Sequence, residues 1–321
     1  MPDVNAVPQL CELSHDGCIA VTGEDAPHFL QGQLTGDIRR LEQPLSLLAG
    51  YCNPQGRLLA CLRLWRQSPG YVLRLPRELV APVMQRLQLF VLRAKVTLTD
   101  LSDHQRGLGL IGSTGPDGLA EYFTTVPTAI GQVVHERGCW IIRVPGEQPR
   151  FELYGAHDSL DALRRSLMPQ VTVADTRVWQ QHNIRAGLPE VYRATQDRFI
   201  PQMLNLDQLD GVAFDKGCYV GQEIVARTHY LGRLKRRMYR LYSEHAPPLQ
   251  PGDTLTIVGY DDAQANVQVV QAITTADTGV EFLGVLPIEL STHPSLALVH
   301  NEQRFEAIVV RLDDRTPVDS V

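Results

Sequence analysis

The chain has 321 residues, 44 % of them hydrophobic, enough to bury a large core and to predict two or three domains. Its formal net charge of −6 argues against a whole-surface attraction to nucleic acid or anionic membrane and leaves only a local basic patch open. Six cysteines (Cys11, Cys18, Cys52, Cys61, Cys139, Cys218) contain no C-x-x-C pair and fit reduced thiols, not a zinc ribbon or a disulfide framework. The N-terminal MPDVNAVPQLCELS shows neither a basic n-region nor an apolar h-region, and no run approaches the roughly 18 apolar residues of a membrane span. The expectation is a cytoplasmic protein.

In chain order, a helix is predicted near 25–34. LSLLAGYC (45–52) and LLACLRLW (58–65) are strands joined through Asn53-Pro54-Gln55-Gly56 as a hairpin. Ser68-Pro69-Gly70 turns the chain into YVLRL. Val80, Val83, Met84, Leu87 and Val91 then recur at helical spacing, with Pro82 tolerable in the first turn, and KVTLTD closes the unit as a strand. The pattern recurs from Val133. VVHERGCWIIRV is a hairpin through Arg137-Gly138, FELYG a strand, 159–168 a helix with Leu160, Leu163 and Leu167 inward, and QVTV the closing strand. One device used twice implies an α+β fold of two similar units within 1–243, divided near 110–130. Beyond about Glu244 the helical signals vanish. TLTIV, NVQVVQAIT, VEFLGVLP, LALV and FEAIVVRL, separated by Pro-Gly, Asp-Asp and Asp-Thr-Gly turns, predict a small β-barrel over 244–321 that ends in a frayed DDRTPVDSV.

Gly107-Leu108-Gly109-Leu110-Ile111-Gly112 matches G-x-G-x-x-G, but a phosphate-cradling turn must lead into a helix, and the breakers from Ser113 to Gly118 follow instead. It reads as a glycine-rich strand. The ten histidines show no H-E-x-x-H or ligand spacing, and there is no G-x-S-x-G, so neither a dedicated metal site nor a serine hydrolase is expected. DKGCYVGQEIVARTHYLGR (215–233) differs in kind. Gly217 and Gly221 allow unusual backbone angles, and Gln222-Glu223 ahead of IVARTHYL fits a helix start. Cys218 then precedes a helix N-terminus, where the dipole and Lys216 favour a thiolate; the alternative is a small cysteine buried at a tight turn. Arg233, Lys235, Arg236, Arg237 and Arg240, with Tyr239 and Tyr242 among them, are either a nucleic-acid surface or a strand whose basic side chains face solvent or carboxylates.

KGCYVGQE, followed by RTHYLGRLKRR, resembles the signature of the YgfZ family of folate-binding proteins, relatives of the glycine-cleavage T-protein. VTGEDAPHFLQGQLTGDI, YCNPQGRLL, WQQHNIRAGLPEV and FIPQMLNLDQLDGVAFDKGCYVGQE stand in the expected order, so the resemblance covers nearly the whole chain. It implies an aminomethyltransferase-like fold with tetrahydrofolate or a derivative as cofactor. It also implies a role in the maturation or repair of iron–sulfur client proteins, which acts indirectly on tRNA thiomodification without direct binding of nucleic acid. Cys218 and Lys216 are the implied reactive pair. The implied folate contacts are Trp179, Arg185, Tyr51, Asn53, Gln222, Glu223 and Arg227, with Trp179 either stacked on a flat ring or anchored in the core. A second family tryptophan falls around Asp16-Gly17, where this chain has none, and Arg185 stands where relatives often carry an acid. The T-protein pattern N-G-G-I-x-D-D aligns with Gln55 to Cys61, so Ala60 and Cys61 replace the acidic pair. Classical aminomethyl transfer is therefore not expected, although a folate-dependent one-carbon transferase stands as the alternative function.

Overall fold

In the computed structural model, which describes residues 7–112, 115–260, 265–275, 279–310 and 312, the first half of the chain is a succession of short strands and helices. It runs β1 (Gln9–Glu12), β2 (Asp16–Thr22), α1 (Ala26–Gln33), β3 (Ser46–Cys52), β4 (Leu58–Gln67), β5 (Gly70–Pro76), α2 (Val80–Val91), β6 (Thr97–Asp100) and β7 (Gln105–Ile111). There follow α3 (Gly115–Ala120), β8 (Val133–Glu136), β9 (Cys139–Val144), β10 (Arg150–Ala156), α4 (His157–Leu167), β11 (Thr172–Ala174), α5 (Thr176–Arg185) and α6 (Gln222–Tyr230). The last strands are β12 (Arg236–Ser243), β13 (Thr254–Ile257), β14 (Asn266–Thr274), β15 (Val280–Pro287), β16 (Ser295–His300) and β17 (Gln303–Val310).

Two compact units result. One is drawn from the described residues of Met1–Gln33, Asp37–Leu48 and Leu62–Trp179, the other from those of Leu34–Gly36, Ala49–Cys61 and Gln180–Val321. The strands form a five-stranded sheet, β3-β4-β5-β2-β6, a six-stranded sheet, β11-β1-β7-β10-β9-β8, and a closed six-stranded barrel, β12-β15-β14-β13-β16-β17. The α+β class and the barrel are those expected. The strand-helix-strand device is present twice, as β5-α2-β6 and β10-α4-β11. Both helices turn one apolar stripe inward, Val80, Val83, Leu87 and Val91 on α2 and Leu160, Leu163 and Leu167 on α4.

The N-terminal strands are shared out between the sheets. β1 pairs in parallel with β11 and antiparallel with β7, whereas β2 pairs with β5 and β6. The chain passes from one sheet to the other at 101–104, and the barrel opens with Arg236, ahead of residue 244. Barrel interior positions alternate along the strands, as with Leu296 and Leu298 on β16 and Phe305 and Ala307 on β17, because successive side chains of a strand face opposite ways. The Asp261-Asp262 turn, most of the Asp-Thr-Gly turn before Val280 and the DDRTPVDSV tail lie outside the described residues. No helix among the described residues is long and apolar enough to cross a membrane.

Residues 107–111 of the G-x-G-x-x-G stretch belong to strand β7, and Gly107 and Gly109 have a packing reason. A Cβ on Gly107 would stand 2.7 Å from the Tyr154 ring, and one on Gly109 would stand 2.4 Å from the Trp179 ring. Both absent side chains make room for an aromatic. The breakers after this strand do not exclude a helix, since the six-residue α3 follows; Ser113 and Thr114 lie outside the described residues. Gly109→Val should therefore cost roughly 1–3 kcal/mol of unfolding free energy, the scale of an overpacked core, read by denaturant titration; an unchanged midpoint would contradict this packing.

Candidate functional site

Lys216 is only 6 % exposed, and a buried ammonium requires acceptors. Its Nζ donates to the carbonyls of Leu34 and Gly36, both at 2.8 Å, and lies 5.3 Å from the centre of the Tyr219 ring. The Leu34–Gly36 stretch is itself fixed through Thr35, whose hydroxyl donates to the Gly211 carbonyl at 2.6 Å and accepts from the Gly50 N–H at 2.7 Å. Lys216 and Tyr219 turn inward, while Gly217 and Cys218 between them are exposed. Gly221 then takes φ +82° as the cap of α6. A Cβ there would lie 2.5 Å from the Asn53 carbonyl oxygen and 2.8 Å from the Gly56 Cα, so only glycine lets α6 close on this turn.

The turn is equally constrained. Asn53 accepts from the Arg57 N–H at 3.0 Å and donates through Nδ2 to Asp197 at 2.7 Å, and Gly56 takes φ +69°. YCNPQG and KGCYVGQE, separated by more than 150 residues in sequence, thus meet within one unit. Gln222 is half-buried, and Glu223 and Arg227 are exposed on α6. Tyr51 is fully buried and bridges Leu34 across the backbone.

Of the six cysteines, all of them described, Cys218 alone is exposed. The buried-cysteine alternative describes the other five. Burial pushes the Cys11 thiol up to about 11 and Cys52 up to about 12, and pushes Cys18, Cys61 and Cys139 up as well. Cys61, further raised by Cys52 and Glu190, is a neutral thiol at ordinary pH, and Ala60 beside it is fully buried. Neither supplies a negative charge.

Arg185 binds Glu281, a residue that sequence reasoning missed although an acid inside VEFLGVLP was the visible signal. Arg185 Nη2 lies 2.5 Å and Nε 3.1 Å from Glu281 Oε1, Gln181 donates to the same oxygen at 2.7 Å, and Arg240 reaches Oε2 at 3.1 Å. Burial raises the Glu281 pKa, but these hydrogen bonds and the two guanidinium charges outweigh it and hold the carboxyl below its usual range. The basic stretch is otherwise engaged along β12. Arg237 forms a two-pronged pair with Asp207, at 2.9 and 3.0 Å, and Arg236 donates to the carbonyls of Asn266 and Val285. Arg236, Arg237 and Arg240 are thus engaged by acceptors of the chain, whereas Arg233 and Lys235, ahead of β12, are exposed.

In the other unit, Trp179 is fully buried, with the Arg150 guanidinium 4.0 Å from its ring centre. The same unit buries two ion pairs, Arg63 with Glu152 at 3.1 Å and Arg74 with Asp16 at 2.9 Å, and Tyr154 donates to Asp16 at 2.8 Å. Burial lowers the Arg150 pKa to about 9, which leaves it cationic at neutral pH. Trp65 stacks on Tyr154 at 5.0 Å. The indole N–H groups of Trp65 and Trp179 are both buried without an acceptor among the described residues. A cavity of about 370 Å³ in this unit is lined by Asp16, Cys18, Arg77, Ser102 and Tyr154 among others. Asp16, at the place of the missing family tryptophan, is thus held by an arginine and a tyrosine.

Comparison with known proteins gives a consistent result. A protein from Colwellia psychrerythraea named tRNA-modifying protein YgfZ is 29 % identical over 299 residues, covering 89 % of this chain and 91 % of its own. Its namesakes from Sodalis glossinidius and Pectobacterium carotovorum are 31 % and 32 % identical, covering 88 % and 78 % of this chain and 86 % and 75 % of their own. The glycine cleavage system aminomethyltransferase T from Bartonella henselae superposes with a TM-score of 0.76 at 18 % identity, over 95 % of this chain and 86 % of that one, which establishes the fold. No family model matches the chain.

Two outcomes follow from the geometry. Lys216→Met should lower stability by at least about 1–3 kcal/mol, because it strands buried carbonyls that lose their donor; a melting temperature equal to wild type would show that the anchor is dispensable. Glu281, whose folded pKa is lowered, contributes stability above its ordinary value of 4.5 that is lost as pH falls through the lowered value. The stability gap between wild type and Glu281→Gln should therefore be widest near neutral pH and narrow on acidification, as read by thermal melts across that range. A gap that widens in acid would refute the assignment.

Proposed function

The chain belongs to the YgfZ family, and from that premise we propose that it is a cytoplasmic, folate-binding accessory protein for the maturation or repair of iron–sulfur proteins, acting through them on tRNA modification. The observation that carries this reading is the exposed thiol of Cys218, on a segment pinned on both sides by Lys216, Tyr219 and Gly221. A surface thiol on a fixed backbone is a soft ligand or nucleophile available to another protein. Lys216 serves it by holding the segment in place. The name borne by the relatives supports the tRNA connection, which runs through client enzymes here because Arg236, Arg237 and Arg240 are engaged within the fold.

Tetrahydrofolate fits the polar cluster around Trp179. Two buried indole N–H groups without acceptors among the described residues suit a heterocycle rich in ring nitrogens and carbonyls, and Arg150 places a cation beside Trp179. When bound, tetrahydrofolate carries one-carbon units. Trp65, Trp179 and Arg150 would hold it. Aminomethyl transfer is the weaker reading, since the acid that would orient the reacting amine is replaced by buried Ala60 and a neutral Cys61.

Complementation of a deletion strain tests the proposal. Cys218→Ser should abolish the rescue of an iron–sulfur enzyme's activity while stability stays within about 0.5 kcal/mol of wild type, as for an exposed substitution. Tetrahydrofolate should quench tryptophan emission in wild type and bind more weakly to Trp179→Phe, which keeps an aromatic ring but loses the indole N–H. Full rescue by Cys218→Ser would end the cysteine assignment, and undiminished affinity in Trp179→Phe would end the folate one.

A further inference from the structure

The surface that follows Cys218 carries an unusual combination of groups. On α6 and the turn after it, Ile224, Tyr230 and Leu231 are exposed, Tyr230 by 64 % and Leu231 by 85 %. The backbone that carries them is held in place. The N–H groups of Leu231 and Gly232 both close on the Arg227 carbonyl, at 3.0 and 2.8 Å, which fixes the end of the helix. His229 stacks on Phe214 with ring centres 3.7 Å apart, and Tyr230 meets both rings edge-on, at 6.1 and 4.8 Å. An exposed apolar group on an ordered backbone costs little further entropy on binding, as preferred anchor residues do.

Charge adds a second, independent observation. Between 222 and 235 there are three cations, Arg227, Arg233 and Lys235, and one acid, Glu223, in a protein of net charge −6. All three cations are exposed, and none forms an ion pair among the described residues, whereas Arg237 and Arg240 immediately beyond are paired with Asp207 and Glu281. A local positive rim on an acidic protein steers an acidic partner to one place and repels it elsewhere.

We propose that this face of α6 is a docking surface for a protein partner that presents an acidic rim around an apolar pocket, and that it receives the iron–sulfur client. The inference rests on the function proposed above. Chain length alone keeps the Cα of Cys218 within about 14 Å of the first residue of α6, so a client seated here has the thiol close at hand. Single-stranded RNA fits less well. Of the three exposed apolar residues only Tyr230 offers a stacking plane, and the Phe214 and His229 rings already face one another. A second copy of the chain would bring like charges together.

The test uses the full-length protein in a deletion strain, with a photo-crosslinking benzoylphenylalanine at Leu231 or, as control, at Leu92, which is 86 % exposed at the end of α2 beside Arg93. Joined peptides are identified by mass spectrometry. The expected result is an adduct from Leu231, and not from Leu92, to an acidic segment of an iron–sulfur protein, with a yield at least tenfold lower when Arg233→Glu and Lys235→Glu are combined. Iron–sulfur enzyme activity should fall in those cells, while the purified double variant keeps wild-type melting and tetrahydrofolate affinity. Adducts to RNA, lipid or a second copy, equal yields from the two positions, or an undiminished yield after charge reversal would each overturn the proposal. If Cys218→Ser fails in cells while the charge-reversed protein works fully, the docking surface is wrong and the function stands. Full rescue by Cys218→Ser removes the function itself.

Discussion

An ammonium ion buried away from water must find oxygen acceptors, and the placement of Lys216 on the Leu34 and Gly36 carbonyls is the constraint on which the signature segment depends. With Lys216 drawn inward, its neighbours Gly217 and Cys218 are turned out, and Tyr219 returns to the interior. Gly221 completes the arrangement by allowing α6 to close on the Asn53–Gly56 turn. The thiol is exposed on a short segment held by the buried Lys216 and Tyr219 at its two ends. Through these hydrogen bonds Lys216 fixes the backbone that carries the sulfur.

The polar interior of the other unit has a different logic. Arg63, Arg74 and Arg150 are buried with Asp16 and Glu152, and ion pairs of this kind offset their desolvation only when well bonded. Such a layer adds less to stability than apolar packing would. It stands alongside two indole N–H groups that lack acceptors among the described residues, so its hydrogen-bonding capacity is not fully used. Glu281, held by two arginines and a glutamine, is by contrast fully provided for and acts as a structural node of the barrel region.

What the sequence revealed follows the range of the interactions involved. Hairpins, the two amphipathic helices and the barrel strands were legible because periodicity and turn residues are local signals. The exchange of β1 and β2 between sheets was not, since strand pairing across 160 residues leaves no local trace. The glycines of β7 looked like a nucleotide motif and proved to be spaces for Tyr154 and Trp179, which lie 47 and 70 residues further along the chain. The site was legible in part. Resemblance singled out Cys218, Gly221 and the Asn53 turn, but the acceptors of Lys216 lie 180 residues or more away, and nothing near Arg185 pointed to Glu281.

The exposed sulfur of Cys218 is where the proposed function is most directly tested. The most direct measurement is the level of thiolated nucleosides in tRNA from deletion cells that carry either the wild-type protein or Cys218→Ala at equal abundance. Levels as low as those of the deletion in the Cys218→Ala cells are the predicted result, and wild-type levels there would contradict the account.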